Sequence, residues 1–141
     1  MTPRERAKHI AATMLKREGT GPAWGIEIED VDEGYARIAM VLRDDMLNGH
    51  GIAHGGMLFA LADTAFAYAC NSHNVATVAQ SATIVFLDPG KKGERVVAEA
   101  RESSLKGRTG VTAVKVFGED GRTIAEFQGL SRSIGGAVVE S

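Results

Sequence analysis

The chain has 141 residues, 44% of them hydrophobic and 24% charged, which fits one globular domain, expected to span residues 1–141. Its formal net charge is -2, and its 16 basic residues are scattered among 18 acidic ones, so we do not expect a nucleic-acid partner. A lone cysteine, Cys70, excludes an intramolecular disulfide, and no run has the apolar length of a secretory signal or a membrane span, so we expect a cytoplasmic protein without membrane contact.

The first elements predicted along the chain are a helix and two strands. Thr2-Pro3-Arg4-Glu5 is typical of a helix N-terminus. It has a hydroxyl N-cap, a proline at the first helical position and a carboxylate that can accept from the backbone N–H of the cap residue. Apolar residues follow at helical spacing, and we expect Gly19 to end this helix in the left-handed conformation. From Trp24 to Leu42 apolar residues alternate on both sides of Asp32-Glu33-Gly34, which predicts two strands joined by a turn.

The middle of the chain predicts a shaped loop that leads into a buried helix. Asn48–Gly56 contains too many glycines for the interior of a helix or strand. Met57–Cys70 is apolar except at Asp63 and Thr64, with an amphipathic Tyr68, so we expect a helix that is buried on every side. Its length is too short for a bilayer, so it should be the axial helix of a soluble core.

The rest of the chain predicts four strands separated by short turns. The runs are rich in valine, threonine and isoleucine and cover Val75–Leu87, Arg95–Ser103, Arg108–Phe117 and Thr123–Ile134. Short connections favour antiparallel pairing. We therefore expect an α+β fold in which one antiparallel sheet wraps the apolar helix. A single sheet leaves a surface and its edges uncovered, so we expect a homo-oligomer, either a dimer or a dimer of dimers.

Asp63 is the most informative residue, because an ionised carboxylate in an apolar helix is costly unless it is paired or faces a cavity. One interpretation is a structural aspartate that is hydrogen-bonded to the backbone or to Thr64. The other is a catalytic carboxylate, favoured because Asn48, His50 and His54 precede it and could converge on one cleft.

Gly55 and Gly56 are expected to lie where the helix begins. The first amides of a helix lack intrahelical partners and carry partial positive charge. Without Cβ atoms, the two glycines would let a thioester carbonyl approach an amide closely, as acyl transfer requires. The alternative is an ordinary glycine-rich helix entry, and a His-Gly-Gly triplet does not by itself distinguish the two.

A metal site and a cysteine nucleophile are both disfavoured. On a helix, His50 and His54 would share a face and could form a metal triad with Asp63, but Gly49 and Gly51 argue against helical structure there. Cys70 lies in the apolar run without a neighbouring base, which makes it a poor nucleophile. We therefore expect no metal and no organic cofactor.

The stretch from Leu47-Asn48-Gly49-His50 to Ala69-Cys70-Asn71-Ser72 resembles the phenylacetic-acid-degradation branch of the hotdog thioesterases. The resemblance extends from the N-terminal helix to the glycine pair near the C-terminus. It includes Asp32-Glu33-Gly34, Phe86-Leu87-Asp88-Pro89-Gly90, Lys106-Gly107-Arg108-Thr109-Gly110 and Ser133-Ile134-Gly135-Gly136. It implies the hotdog fold.

The resemblance also implies site roles. Asp63 matches the family's nucleophile or general base, the Gly55 amide the group that polarises the thioester carbonyl, and Asn48 the asparagine that places water or substrate. His54 matches the histidine beside the glycine pair, and Thr64 the hydroxyl residue after the aspartate. The family's active sites lie between two subunits, so the loop before the helix would face Asp63 of a neighbouring chain.

Further contacts with substrate are expected from Gly56 and from Gln80 or Ser81 on the next strand, and CoA phosphates are expected near Lys106, Arg108 or Arg101. The expected reaction is hydrolysis of an aromatic, arylacetyl or medium-chain acyl-CoA to the free acid and CoA. A non-catalytic acyl-CoA binding or regulatory protein is the alternative. A hydratase of the hotdog fold is less favoured, because the motifs in which those enzymes pair an Asp or Glu with a His are not found in this sequence.

Overall fold

The computed structural model describes residues 1–140. The helices are α1 (Pro3–Arg17), α2 (Thr20–Trp24) and α3 (Gly55–Asn71), with a short 3-10 turn at Asp44–Met46. The strands are β1 (Glu27–Asp32), β2 (Tyr35–Val41), β3 (Thr77–Phe86), β4 (Arg95–Lys106), β5 (Thr109–Phe117) and β6 (Thr123–Ser133). The strands predicted after the central helix are confirmed, with ends shifted by three residues at most.

The strands form one six-stranded sheet in the order β1-β2-β4-β5-β6-β3, and every neighbouring pair is antiparallel. α3 packs against all six strands, and α1 packs against β1 and α3. The expected α+β architecture, with an antiparallel sheet around a long apolar helix, is confirmed. β1 and β3 are the two edges of the sheet within one chain.

The N-terminal helix confirms the predicted start but not the predicted end. Thr2 and Glu5 form a reciprocal capping box at the start of α1. Gly19 has φ -70°, in the right-handed region, and it caps the unpredicted helix α2. The left-handed glycine is Gly25, at φ 66°, which ends α2. Trp24 is therefore helical, and the strand predicted from this residue begins at Glu27.

α3 is not buried on every side in a single chain, which corrects the sequence prediction. Its core-facing residues, among them Leu61, Ala62 and Phe66, are buried. A stripe at helical spacing remains partly exposed and consists of Phe59, Ala60, Asp63, Thr64 and Ala67. Uniform hydrophobicity cannot show which side of a helix lacks a covering element. Asp63 therefore faces the one side of α3 that the rest of the chain leaves partly open.

The C-terminal end of α3 is joined to the start of β3 by the buried carboxamide of Asn71. This group donates to the carbonyl oxygens of Ala67 at 2.8 Å and Thr77 at 3.0 Å. It also accepts from the Thr77 N–H at 2.9 Å. Both polar ends of a buried amide are thus satisfied, and the helix is held in register with the edge strand.

The edge strand β3 is largely exposed. Its large apolar side chains Val78, Val85 and Phe86 are 47%, 54% and 51% exposed. Its pairing with β6 is interrupted by a register shift between Ala79 and Ser81. Edge strands with free backbone groups and apolar side chains favour pairing with another chain.

A candidate active site at the start of the central helix

The loop before α3 is a closed turn organised by Asn48. The Asn48 Oδ1 accepts from the N–H groups of His50 at 2.9 Å and Ile52 at 3.3 Å. Backbone bonds then close the loop, because Asn48 N–H donates to the Ile52 oxygen and His54 N–H donates to the Met46 oxygen, each at 2.8 Å. The Asn48 Nδ2 donates no hydrogen bond within residues 1–140. This NH2 group is therefore available to a ligand.

The helix entry presents one free amide. His54 is the N-cap of α3, and its Nδ1 accepts from the Gly56 N–H at 2.9 Å. The next two amides, of Met57 and Leu58, donate to the His54 carbonyl oxygen. Gly55 N–H alone has no acceptor among the described residues. It lies at the partly positive end of the helix and can donate to a carbonyl oxygen that develops negative charge.

A cavity of about 370 Å³ opens beside Gly55. Asn48 is one of its polar lining residues, and Phe86 from the end of β3 forms part of its wall. The remaining lining residues are Ile52, Ala53, Leu58, Leu87, Asp88, Pro89 and Gly90. The structure thus brings together two of the residues predicted to be catalytic, Asn48 and Gly55, in a mostly apolar cleft.

Asp63 lies about two turns into α3 with its carboxylate partly buried. Burial raises the pKa of Asp63 above its usual 3.8, and no hydrogen bond or opposite charge counteracts this shift. Thr64, the partner expected for a structural aspartate, instead donates its hydroxyl to the Ala60 carbonyl at 2.8 Å. A carboxylate without a structural partner, on a partly open helix face, is suited to act as a base or nucleophile.

Asp63 and the Gly55 helix entry do not share one cavity within residues 1–140. Asp63 is not among the residues that line the cavity beside Gly55. Gly55 and Asn48 both line that cleft, whereas Asp63 lies farther along the helix on its partly exposed stripe.

Comparison with known proteins identifies the family. Residues 50–125 match the Thioesterase superfamily. The chain belongs to this superfamily. The acyl-coenzyme A thioesterase PaaI of Escherichia coli (strain K12) is 44% identical over 133 residues, which are 94% of this chain and 95% of the relative. The predicted family and the predicted enzyme class, a thioester hydrolase, are confirmed.

Solved structures of relatives confirm the hotdog fold of this thioesterase. The PaaI protein from the phenylacetic acid degradation operon of E. coli superposes with a TM-score of 0.95 at 42% identity, covering 96% of this chain and 99% of the other. A mutant of the phenylacetic acid degradation protein PaaI from Thermus thermophilus gives a TM-score of 0.80 at 38% identity, covering 83% and 100%.

The other predicted substrate contacts of the thioesterase lie on its surface. Gln80 and Ser81 are exposed on the edge strand β3, and Gln80 falls within the register shift. Lys106 and Arg108 are exposed at the turn between β4 and β5. Arg101, by contrast, already has partners within the chain. Its guanidinium lies 4.6 Å from the centroid of the Tyr35 ring and contacts Glu99.

Neither a thiolate nor a metal centre is apparent in residues 1–140. Burial raises the pKa of the Cys70 thiol to about 12, so it is protonated at neutral pH and is a poor nucleophile. His50, His54 and Asp63 do not form a cluster that could hold a metal ion, nor does any other group of three such side chains in this range. No helix in the described range is long and apolar enough to cross a membrane.

Two features of the site were missed at the sequence level. The first is the packing of Phe86 against Gly55, since β3 and the helix entry are distant in the chain. The second is the capping role of His54, since histidine is not among the residues preferred at N-caps. The only local signal for this cap was the position of His54 directly before the glycine pair.

Proposed function

We propose that this thioesterase hydrolyses acyl-CoA, with Asp63 as general base or nucleophile and the Gly55 amide as the donor that polarises the thioester carbonyl. The observation that carries this proposal is the Asp63 carboxylate, which is partly buried in an apolar helix, has a raised pKa and has no partner within the described chain. The name of the E. coli relative, an acyl-coenzyme A thioesterase, supports the same substrate class.

In the proposed reaction the thioester carbonyl oxygen accepts from the Gly55 N–H, and the Asn48 Nδ2 holds water or substrate beside it. Asp63 either takes a proton from water as the water attacks the carbonyl carbon, or attacks that carbon itself to give an anhydride that water then opens. In both routes the C–S bond breaks, CoA leaves as the thiol after taking up a proton, and the free acid forms. Neither route needs a metal or an organic cofactor.

The separation of Asp63 from the Gly55 cavity supports an active site shared by two subunits. In this arrangement the helix entry of one chain faces the open stripe of α3 in its neighbour. The exposed edge strand β3, with Val78 and Val85 projecting from it, provides a surface for such a pairing. We therefore propose a homodimer, with a dimer of dimers as the larger assembly. Thr64, Gln80 and Ser81 would lie near this subunit boundary.

The composition of the cavity wall supports a substrate with an aromatic, arylacetyl or medium-chain acyl group. Most of its lining is apolar, and Leu58 and Phe86 offer flat or branched surfaces to such a group. The E. coli relative of known structure comes from a phenylacetic acid degradation operon, which supports the arylacetyl choice. The CoA phosphates would lie near Lys106 and Arg108, the exposed cations of the β4–β5 turn.

The test is a panel of aryl, arylacetyl and straight-chain acyl-CoA substrates, assayed for release of free thiol. We expect turnover with at least one aryl or medium-chain member, and unchanged turnover after exhaustive chelation. Binding of the same panel without thiol release would support the alternative, a non-catalytic acyl-CoA binding protein. Light scattering on Val85→Lys, which places a charge on the exposed edge strand, tests the assembly: a smaller particle than wild type is expected.

A further inference from the structure

The N-cap of α3 is a histidine ring held in one place by its own backbone. The His54 N–H donates to the Met46 oxygen at 2.8 Å, and the His54 carbonyl accepts from the N–H groups of Met57 and Leu58. With its backbone fixed on both sides, the side chain turns back so that Nδ1 accepts from the Gly56 N–H at 2.9 Å. In a neutral ring with an unprotonated Nδ1, the proton is on Nε2.

The glycine at position 56 makes room for this ring. A Cβ atom built on Gly56 would lie 3.0 Å from the His54 Nδ1 and 3.2 Å from its Cε1. The nearest contacts of a side chain at this position are therefore both with the capping ring. The role of Gly56 is thus coupled to His54, since a methyl group there would require the capping ring to shift by a few tenths of an ångström.

Gly55 contacts a different side chain, and its amide is not hydrogen-bonded within the described residues. Outside its chain neighbours, a Cβ atom there would meet the Phe86 ring. Its N–H has no acceptor among the described residues, and Gly55 itself lines the cavity. The two consecutive glycines, which look equivalent in the sequence, therefore differ: one amide is occupied by a side chain of the same protein and the other is open.

We propose that His54 is a positioning residue that selects the oxyanion donor. By occupying the Gly56 amide, the His54 Nδ1 leaves Gly55 N–H as the single open donor of the first helical turn and holds that turn at a fixed angle to the cavity. This inference rests on the proposed function, in which the Gly55 amide polarises the thioester carbonyl. His54 itself transfers no proton in this account, and its Nε2 is not required.

Substitutions of His54 that retain a polar group near only one of the two ring nitrogens can distinguish a capping role from an acid–base role. Asn at position 54 can place an acceptor near Nδ1 and is a preferred N-cap, whereas Gln reaches toward Nε2 and is a poor one. We expect His54→Asn to keep kcat within about threefold of wild type, and His54→Ala and His54→Gln to lower kcat by about tenfold or more. The melting temperature should follow the same order, with a loss of roughly 3 °C in the Ala and Gln variants.

A matched control and a double variant complete the design. His50→Asn changes the exposed histidine of the same loop, whose side chain makes no hydrogen bond in the described chain, and should leave kcat unchanged. Gly56→Ala should lower kcat by less than His54→Ala, because it shifts the capping ring without removing it, and the double variant should be no worse than His54→Ala, because both changes act on the same cap.

Hydrogen exchange tests the cap even if the proposed function fails, and turnover tests the positioning role if that function holds. Hydrogen exchange at the Gly56 amide should be slow in wild type and His54→Asn and faster in His54→Ala, whatever the substrate. Equal exchange in all three would overturn the cap. If wild type turns over acyl-CoA, a His54→Asn variant as inactive as His54→Ala would overturn the positioning role, as would additive losses in the double variant. A wild type that releases no thiol while Gly56 exchange behaves as expected would instead contradict the proposed function and leave the cap supported.

Discussion

The ring of Phe86, at the end of the edge strand, lies against Gly55, the first residue of the central helix. A Cβ atom at position 55 would approach the Phe86 Cζ to 3.0 Å. This contact links the free amide of the helix entry to the edge strand and forms one wall of the cavity between them. The conformation of the cleft therefore depends on a glycine at this position.

Gly55→Ala should lower kcat by about tenfold or more, because its methyl group displaces the Phe86 ring and crowds the approach to the amide. Steady-state kinetics of thiol release measures the loss, and Gly55→Ala/Phe86→Leu should recover part of it. The control is Gly49→Ala in the same loop, where a Cβ atom meets nothing within 4 Å. Equal activity of Gly55→Ala and Gly49→Ala would contradict this role of the contact.

The stability of the wild type relative to Asp63→Asn should depend on pH. Burial raises the folded-state pKa of Asp63 above its usual 3.8, so between that value and the raised pKa the folded protein binds more protons than the unfolded chain. The free energy of unfolding of wild type relative to the variant should therefore fall as the pH rises through this window and stay constant above it. Urea denaturation from pH 3 to 7 measures the difference. A difference that does not change with pH would show that the aspartate is not desolvated.

Tyr68→Phe should destabilise the fold without changing the chemistry. The Tyr68 hydroxyl, in a side chain buried in the core, donates to the Glu18 carboxylate near the end of α1, and burial raises its pKa. Removing it leaves the carboxylate without this donor, at a cost of about 2 kcal/mol in the free energy of unfolding. Urea denaturation and kcat are measured together. Glu18→Gln, which keeps an acceptor oxygen, should cost less, and a larger loss there would contradict the assignment.

Gly129→Ala should destabilise the protein through overpacking. A Cβ atom at Gly129 in β6 would lie 2.7 Å from the Phe66 Cζ, and the Phe66 ring is 1% exposed and packed at 5.7 Å from the Phe127 ring. Overpacking of this kind costs about 1–3 kcal/mol. Denaturation of Gly129→Ala, Phe66→Leu and the double variant tests the contact. The two single losses should not add, because the smaller side chain frees the space that the methyl group needs.

Local patterns in the sequence were sufficient for much of the fold. The capping box of Thr2 and Glu5, the turn at Gly34 and the strand runs after the central helix each depend on neighbouring residues, and each was predicted. The end of the first helix was not predicted correctly, because α1 ends at Arg17 with an extended Glu18 as its C-cap rather than with a left-handed Gly19. A second short helix then follows, and the left-handed position falls at its end, at Gly25.

The candidate site was predictable in composition but not in arrangement. Asp63 stood out because burying a carboxylate in an apolar helix costs free energy unless the group is paired or faces a cavity, and the glycine pair marked the helix entry. The sequence could not reveal that Asp63 faces a partly open stripe outside the cavity of Gly55, because helix packing determines that orientation. Nor could it distinguish the two glycine amides, since the difference depends on the orientation of the His54 ring.

The turnover number of Asp63→Asn tests the central claim most directly. Asn keeps the shape of Asp and most of its hydrogen bonding but can neither accept a proton nor attack as an anion, so we expect kcat to fall by about a hundredfold or more while fold and assembly are retained. The melting temperature, measured on the same preparation at neutral pH, should be equal or higher, because a desolvated charge has been removed. An intact assembly of Asp63→Asn with near wild-type turnover would contradict a catalytic role for this carboxylate.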